Sequence, residues 1–427
     1  MKYIKLLHWL IALYLGTISF QAEGMAAAAD SSLPSAIIPE GIGVNIHFTS
    51  PRPGEMKMLA DAGFRWIRMD FQWQGIEKQR GQYDFSAYDG LLSALEQYHI
   101  RAIFILDYGN HLYDDGTSPH SDEAVQAFAR WAAASVKHFA GHGILWEMWN
   151  EPNGGFWHPK PDVNAYTKLA LATGKAIREA EPGEAFIGPA TSGIPLDFLE
   201  GCFRAGLLQY WTAVSVHPYR QNGPETAVPE YQKLRALIDR YAPAGKHIPI
   251  ISGEWGYSAA WKNFTEEKQG IMFSRELLTN LSYGIPLSIL YDWHDDGTDP
   301  KEGEHHFGTV AYAYHEGRDP VYDEKPAYKA VKTLTGTLKG YRFSKRIETA
   351  GKDDYLLLFS RGKHVCLVAW TTGEPHALII AAGKGSFRVL SHLGEEQSSV
   401  QADKGQLTVQ LTGAPQYFIG RKGMKIR

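Results

Sequence analysis

Cysteine is scarce in this 427-residue chain, which has only Cys202 and Cys366. Two thiols so far apart make neither a disulfide framework nor a metal knuckle, and they read as unpaired small core residues. An excess of one charge is lacking as well. The 43 Lys plus Arg stand against 47 Asp plus Glu, a net of −4, and no local basic patch breaks the balance, so nucleic acid is not an expected partner. No Gly-rich phosphate loop follows an early apolar run, which counts against the dinucleotide folds. No repeat of solenoid period occurs. With 44% hydrophobic residues the chain is neither disordered nor collagenous, and nothing in it suggests a polytopic membrane protein.

The N-terminus has its own character. Lys2 and Lys5 precede an apolar run from Leu6 to Phe20, and small residues from Ala26 to Ala29 follow. A run of about 15 residues is short for a spanning helix, so residues 1–29 read as a secretory signal. The expected mature protein is secreted or periplasmic, is not stably inserted in a membrane, and is a monomer. What the chain has in quantity is aromatic surface, with 12 Trp and 22 Tyr. Flat amphipathic rings are what a protein needs to hold a sugar by its C–H face.

From residue 41 short β-branched runs alternate with longer amphipathic stretches. Eight runs can be counted: GIGVNIHF, FRWIRMDF, IRAIFILDY, ILWEMWNE, EAFIGPA, WTAVSVHPY, IPIISGEWG and LSILYDWH. Strand and helix repeated in this way predict an α/β fold, a (β/α)8 TIM barrel over residues 30–334. After Leu334 seven short alternating runs separated by Gly, Asp and Lys turns predict a C-terminal β-sandwich over residues 335–427. The short linker near Gly336 to Gly340 implies that the two pack as one unit through a mainly apolar interface.

Catalytic groups of such barrels sit at the C-terminal ends of the strands. Strand four ends in Trp149-Asn150-Glu151-Pro152-Asn153 and strand seven in Ser252-Gly253-Glu254-Trp255. One carboxylic acid and one carboxylate flanking a scissile bond are what glycosidic cleavage requires. Alternation along strand four places Leu145, Glu147, Trp149 and Glu151 on one face, with Glu147 about 13 Å below Glu151 at about 3.3 Å per residue. Glu147 is then a buried barrel carboxylate in need of a partner, for which Arg65 and Arg68 are candidates. Arg68 also stands where it could reach Glu254 and orient it. The strand-six ending His217-Pro218-Tyr219 puts a phenol within reach of Glu254 and an imidazole near Glu151. Trp293 is expected as the floor for a sugar ring, with Phe156, Trp157, Trp255, Tyr257 and Trp261 on loops of the same mouth.

Taken together, Asn150-Glu151-Pro152, His217-Pro218-Tyr219, Gly253-Glu254-Trp255-Gly256 and Trp293 resemble clan A of the retaining glycoside hydrolases. Within the clan, Trp149 to Asn153 with Gly155-Phe156-Trp157 and Pro159-Lys160, and Glu254 to Ser258, are similar to bacterial exopolysaccharide hydrolases of family 39. Family 5 shares these motifs. The resemblance implies Glu151 as acid/base, Glu254 as nucleophile and Asn150 as the group that binds the substrate 2-hydroxyl. The nearby negative charge of Glu254 is expected to raise the pKa of Glu151. The implied substrate is a polysaccharide, an exopolysaccharide or related β-glycan cut internally. A cellulase, a xylanase, an exo-acting β-glycosidase and a barrel that binds polysaccharide without cutting it are the alternatives. No cofactor or metal is expected for turnover, since the carboxylates supply both proton transfer and nucleophile. The polar loop Asp292-Trp293-His294-Asp295-Asp296, followed by Glu304-His305-His306, offers His and Asp as ligands for a divalent metal, the rival reading, but its spacing matches no common metal motif and it reads as a solvated lid.

Overall fold

The computed structural model describes residues 32–420 and residue 426, so the expected signal segment lies outside the described residues. Eight parallel strands close into a barrel: β1 (Ile42–Asn45), β2 (Trp66–Gln72), β3 (Arg101–Asp107), β4 (Leu145–Met148), β5 (Ala185–Ser192), β6 (Val214–His217), β7 (Ile250–Trp255) and β8 (Ser288–Leu290). Closure is made by β8 on β1, with Gly43 opposite Ile289. Alternate side chains point to opposite faces, and this sorts each strand. Trp66, Ile103, Leu145, Ile187, Ile251 and Ile289 fill the barrel interior, while Ile67, Phe71, Phe104, Trp146 and Val216 face the helices. Helix starts are chemically marked. Ser121, Asp162 and Thr265 each accept a hydrogen bond from a first-turn amide of the helices Asp122–His138, Val163–Ala180 and Glu266–Tyr283. Among the described residues no helix is long and apolar enough to cross a membrane.

The last barrel helix runs Pro326–Thr337. The change of pattern at Leu334 therefore falls inside a helix rather than at a domain edge, because Thr335, Gly336 and Thr337 are weak helix formers held there by packing and by the Thr335 hydroxyl, which donates to Ala62 O at 2.7 Å. Beyond it, a six-stranded antiparallel sheet and a two-stranded one form the C-terminal domain. The strand Glu396–Ala402 escaped the sequence reading, since it is an edge strand whose side chains are mostly polar and exposed. Strands Asp354–Arg361 and His364–Thr371 are apolar on both faces for a structural reason. Leu356, Leu358, Leu367 and Ala369 fill the sandwich interior, whereas Leu357, Phe359, Cys366, Val368 and Trp370 join the core of the barrel. Both cysteines are buried and unpaired.

One polar anchor lies in this apolar junction. Glu225, in the segment after β6, takes two 2.7 Å bonds from Arg275 and a third, also 2.7 Å, from the Trp370 indole. Trp370 in turn stacks on Tyr355 at 5.0 Å. Truncating it removes a buried ring and leaves Glu225 short of a donor. Trp370→Ala is expected to cost about 3–5 kcal/mol in chemical denaturation; a loss below about 1 kcal/mol would show that the sandwich does not brace the barrel.

Candidate active site

Side chains of β1, β4 and β7, and of Asn150 just past β4, converge at the barrel mouth on one buried cation from β2. Arg68, 1% exposed, donates through Nε to Glu147 Oε2 at 2.6 Å, through Nη1 to Glu254 Oε2 at 2.5 Å and to Asn45 Oδ1 at 3.3 Å, and through Nη2 to Asn150 Oδ1 at 2.9 Å. Arg65 turns away and caps the Phe64 carbonyl. Burial alone would push the guanidinium pKa down, but Glu147 and Glu254 outweigh it and the net direction is up. The other oxygen of Glu147 accepts from Ser215 at 2.5 Å. A Cβ on Gly253 would stand 2.1 Å from that serine oxygen, so only glycine lets β7 pass this pair and present Glu254 above it.

Glu254 is held from both sides. Besides Arg68 it accepts from the Tyr219 hydroxyl at 2.7 Å. Burial, and then the charge of Glu254, push the Tyr219 pKa well up, so the phenol stays a donor. Glu151 sits differently. Its Oε1 is 3.0 Å from Nδ1 of His217. Burial raises its pKa, against the lowering effects of Arg68 and the Ser192 hydroxyl. The rise thus comes from desolvation and not, as expected from the pairing, from Glu254. His217 is fully buried and its pKa is lowered to about 4, by burial first, so the ring is neutral at ordinary pH. A carboxylate oxygen of Glu151, a ring nitrogen of His217 and a carboxylate oxygen of Glu254 all lie within 4.8 Å of one another.

The end of β4 departs from simple alternation. Trp149 (φ 64°) and Glu151 (φ 46°) are left-handed, conformations that cost non-glycine residues about 1–3 kcal/mol each. The strand stops at Met148, the Trp149 ring swings out against Trp157 at 4.9 Å, and the Glu151 amide crosses to Ala190 O at 2.9 Å. Asn153 and Ser192 exchange two 2.9 Å bonds that pin the loop bearing Glu151 to the loop after β5. Asn150 Nδ2 donates to the Tyr108 hydroxyl at 3.0 Å.

Four expected sugar-contacting aromatics are buried and cannot stack on substrate. Trp293 is 0% exposed, because the chain turns at Asp292 and sends the indole into the outer core, where it donates to Glu55 at 3.0 Å. Trp157 packs between Trp149 and Tyr166. Trp255 lies under Arg220, and Tyr257 stacks on Phe264 and donates to Asn222 O. The accessible aromatics at the mouth include one of the expected loop aromatics, Phe156, together with tyrosines that directly follow strands. Phe156 is 46% exposed and stacks on half-buried Tyr108 at 5.9 Å, while Tyr291 continues the inward register of β8, near Tyr219 at 6.4 Å. Neither Tyr108 nor Tyr291 was picked out from sequence, although each directly follows an apolar strand. Tyr108 and Phe156 line a cavity of about 770 Å³ with Gln72, Asn110, His111 and His158. A second, of about 290 Å³, is lined by His47, Asp70 and Gln72.

Residues 43–296 match the sequence model described as Cellulase (glycosyl hydrolase family 5). The chain belongs to glycosyl hydrolase family 5. Family 5 is a clan A family, as the strand-end motifs suggested, and the protein is an O-glycosyl hydrolase. No curated protein matches it in sequence. Its fold is that of several solved glycoside hydrolases. A family 39 enzyme from Bacteroides cellulosilyticus WH2 superposes with a TM-score of 0.77 at 23% identity, covering 90% of this chain and 81% of that one. A family 39 β-xylosidase from Caulobacter crescentus gives 0.66 at 20% identity, covering 91% and 97%. A family 30 endoxylanase from Clostridium papyrosolvens gives 0.62 at 13%, covering 91% and 97%.

In this family 5 chain the Tyr219 bond is made to a carboxylate, a class of contact that contributes about 1.5–3 kcal/mol. Tyr219→Phe is therefore expected to lower kcat about 10- to 150-fold with an unchanged melting temperature. A rate within twofold of the parent would remove Tyr219 from the site.

Proposed function

We propose that this enzyme is a retaining glycosidase that cuts a polysaccharide internally outside the cytoplasm, on a bacterial exopolysaccharide or related β-glycan. The observation that carries the reading is the proximity of Glu151 and Glu254, with oxygens within 4.8 Å. Retaining enzymes hold their carboxyl groups about 5–5.5 Å apart, whereas inverting ones need about 6.5–9.5 Å to admit water. Glu254, oriented by Arg68 and Tyr219, attacks the anomeric carbon as Glu151 gives its proton to the leaving oxygen, and a glycosyl ester forms. Glu151, now a carboxylate, takes a proton from water, which attacks the same carbon and releases Glu254. The 770 Å³ cavity lined by Tyr108, Trp149 and Phe156 supports internal cutting, since it gives a chain room to continue beyond the bond cleaved. A xylan-type substrate is the second reading, suggested by the β-xylosidase and endoxylanase whose folds it shares.

Glu254→Gln is expected to lower turnover of every substrate by at least about 10⁴-fold. Glu151→Ala is expected to keep glycosylation by activated aryl glycosides, whose leaving group needs no acid, and to regain turnover with azide. The pH profile follows from the raised pKa of Glu151. The acid must be protonated, so kcat/KM falls as pH rises through a value above that of an ordinary glutamate, and Glu151→Ala loses that alkaline limb on activated substrates. Proton NMR of the first-formed anomer checks the stereochemistry; an inverted product would refute the mechanism.

A further inference from the structure

The loop leaving β8 folds over the end of β1 and gathers a second set of donor side chains. Nε2 of His47 lies 3.1 Å from Oδ2 of Asp292, and a ring nitrogen of His47 and one carboxylate oxygen each of Asp292 and Asp296 all fall within 4.8 Å of one another. Asp292 is 2% exposed and rigidly set. Its Oδ1 accepts the Trp293 amide at 2.5 Å, its amide donates to Phe307 O at 3.2 Å, and its carbonyl accepts the Thr309 amide at 2.8 Å. Oδ2, by contrast, meets only the His47 ring, an ion pair when that ring is protonated, and makes no aligned hydrogen bond. A buried carboxylate oxygen with a single partner still has capacity to coordinate, and the neighbouring His47 and Asp296 are open to solvent.

We propose that His47, Asp292 and Asp296 bind a divalent cation at the barrel mouth, where the ends of β1 and β8 meet. At metal–ligand distances of about 2.0–2.2 Å one ion bridges donors up to about 4.4 Å apart, so small side-chain shifts close the three on it. One imidazole and two carboxylates suit Zn²⁺ or Mn²⁺ better than Ca²⁺ or Mg²⁺, which favour oxygen donors. The two carboxylates balance the charge of the ion, and the open side leaves positions for water or sugar hydroxyls. The site is tied into the fold. Asn45 Nδ2 lies 3.4 Å from the same His47 nitrogen, and Asn45 Oδ1 accepts from Arg68, while His47 itself lines the 290 Å³ cavity. Asp292 and Asp296 belong to the polar loop singled out in sequence, and its other ligand-type residues are engaged otherwise. Asp295 pairs with Lys325 at 2.7 Å, the His305 ring accepts the Asp299 amide, and the His306 ring meets the Asp299 carbonyl. This proposal concerns binding and goes beyond the hydrolase reading, so it stands or falls independently of the roles of Glu151 and Glu254.

The test uses the full chain, stripped with chelator and desalted, then titrated with Mn²⁺ under electron paramagnetic resonance with Zn²⁺ as competitor. One equivalent of Mn²⁺ is expected, displaced by Zn²⁺. Asp296→Asn and His47→Ala, both at exposed positions, are each expected to weaken Mn²⁺ binding at least tenfold while the metal-free proteins melt as the parent does. Absence of stoichiometric binding would overturn the proposal. So would binding that survives both substitutions but is lost in Glu151→Gln, which would put the ion between Glu151, His217 and Glu254.

Discussion

A single buried guanidinium organises the mouth of this barrel. Arg68 cannot shed its charge, and burying it unpaired would cost several kcal/mol. Four partners on three other strands and one strand end meet that demand: Glu147 below, Glu254 above, Asn150 and Asn45 to the sides. Because every Nη and Nε is committed, the position of Glu254 is set from the barrel core rather than from a mobile loop. Gly253 and Ser215 are consequences of the same constraint, the first because a side chain would strike the second, the second because Glu147 has another oxygen to satisfy.

The two glutamates are chemically distinct because only one of them shares directly in this network. Glu254 accepts from a guanidinium and a phenol, whereas Glu151 meets a neutral imidazole and the Ser192 hydroxyl in a pocket whose desolvation raises its pKa. Environment alone thus separates a group suited to attack from a group suited to give up a proton. Backbone strain contributes to the separation: the left-handed Trp149 and Glu151 lift the acid off the strand register, and the Asn153–Ser192 clamp holds it there.

Much of this is legible in the amino-acid sequence wherever a strand stays straight. The β-branched runs mark the eight barrel strands, and two-residue alternation on β2 carries Arg68 toward the carboxylates. Legibility ends where the chain leaves regular structure. Alternation places Glu147 correctly but fails past Met148, since nothing local announces two left-handed non-glycine residues. Trp157, Trp255, Tyr257 and Trp293 look like sugar platforms by position, and whether such a ring faces substrate or core depends on neighbours remote in sequence, such as Glu55 for Trp293. Polar residues hid the edge strand Glu396–Ala402. The loop from Asp292 to Asp296 stands out as a polar run, but His47 escapes any motif search because it follows the first barrel strand and that loop follows the last.

The central claim is that Glu254 forms the covalent bond to the sugar. An activated 2-deoxy-2-fluoro glycoside of the sugar the enzyme turns over slows both steps, the second more, and should accumulate the ester. Mass spectrometry of the inactivated protein after proteolysis is expected to find one added glycosyl group, on the peptide containing Glu254. Failure of any adduct to form while the reagent is hydrolysed, or an adduct on another carboxylate, would contradict the account.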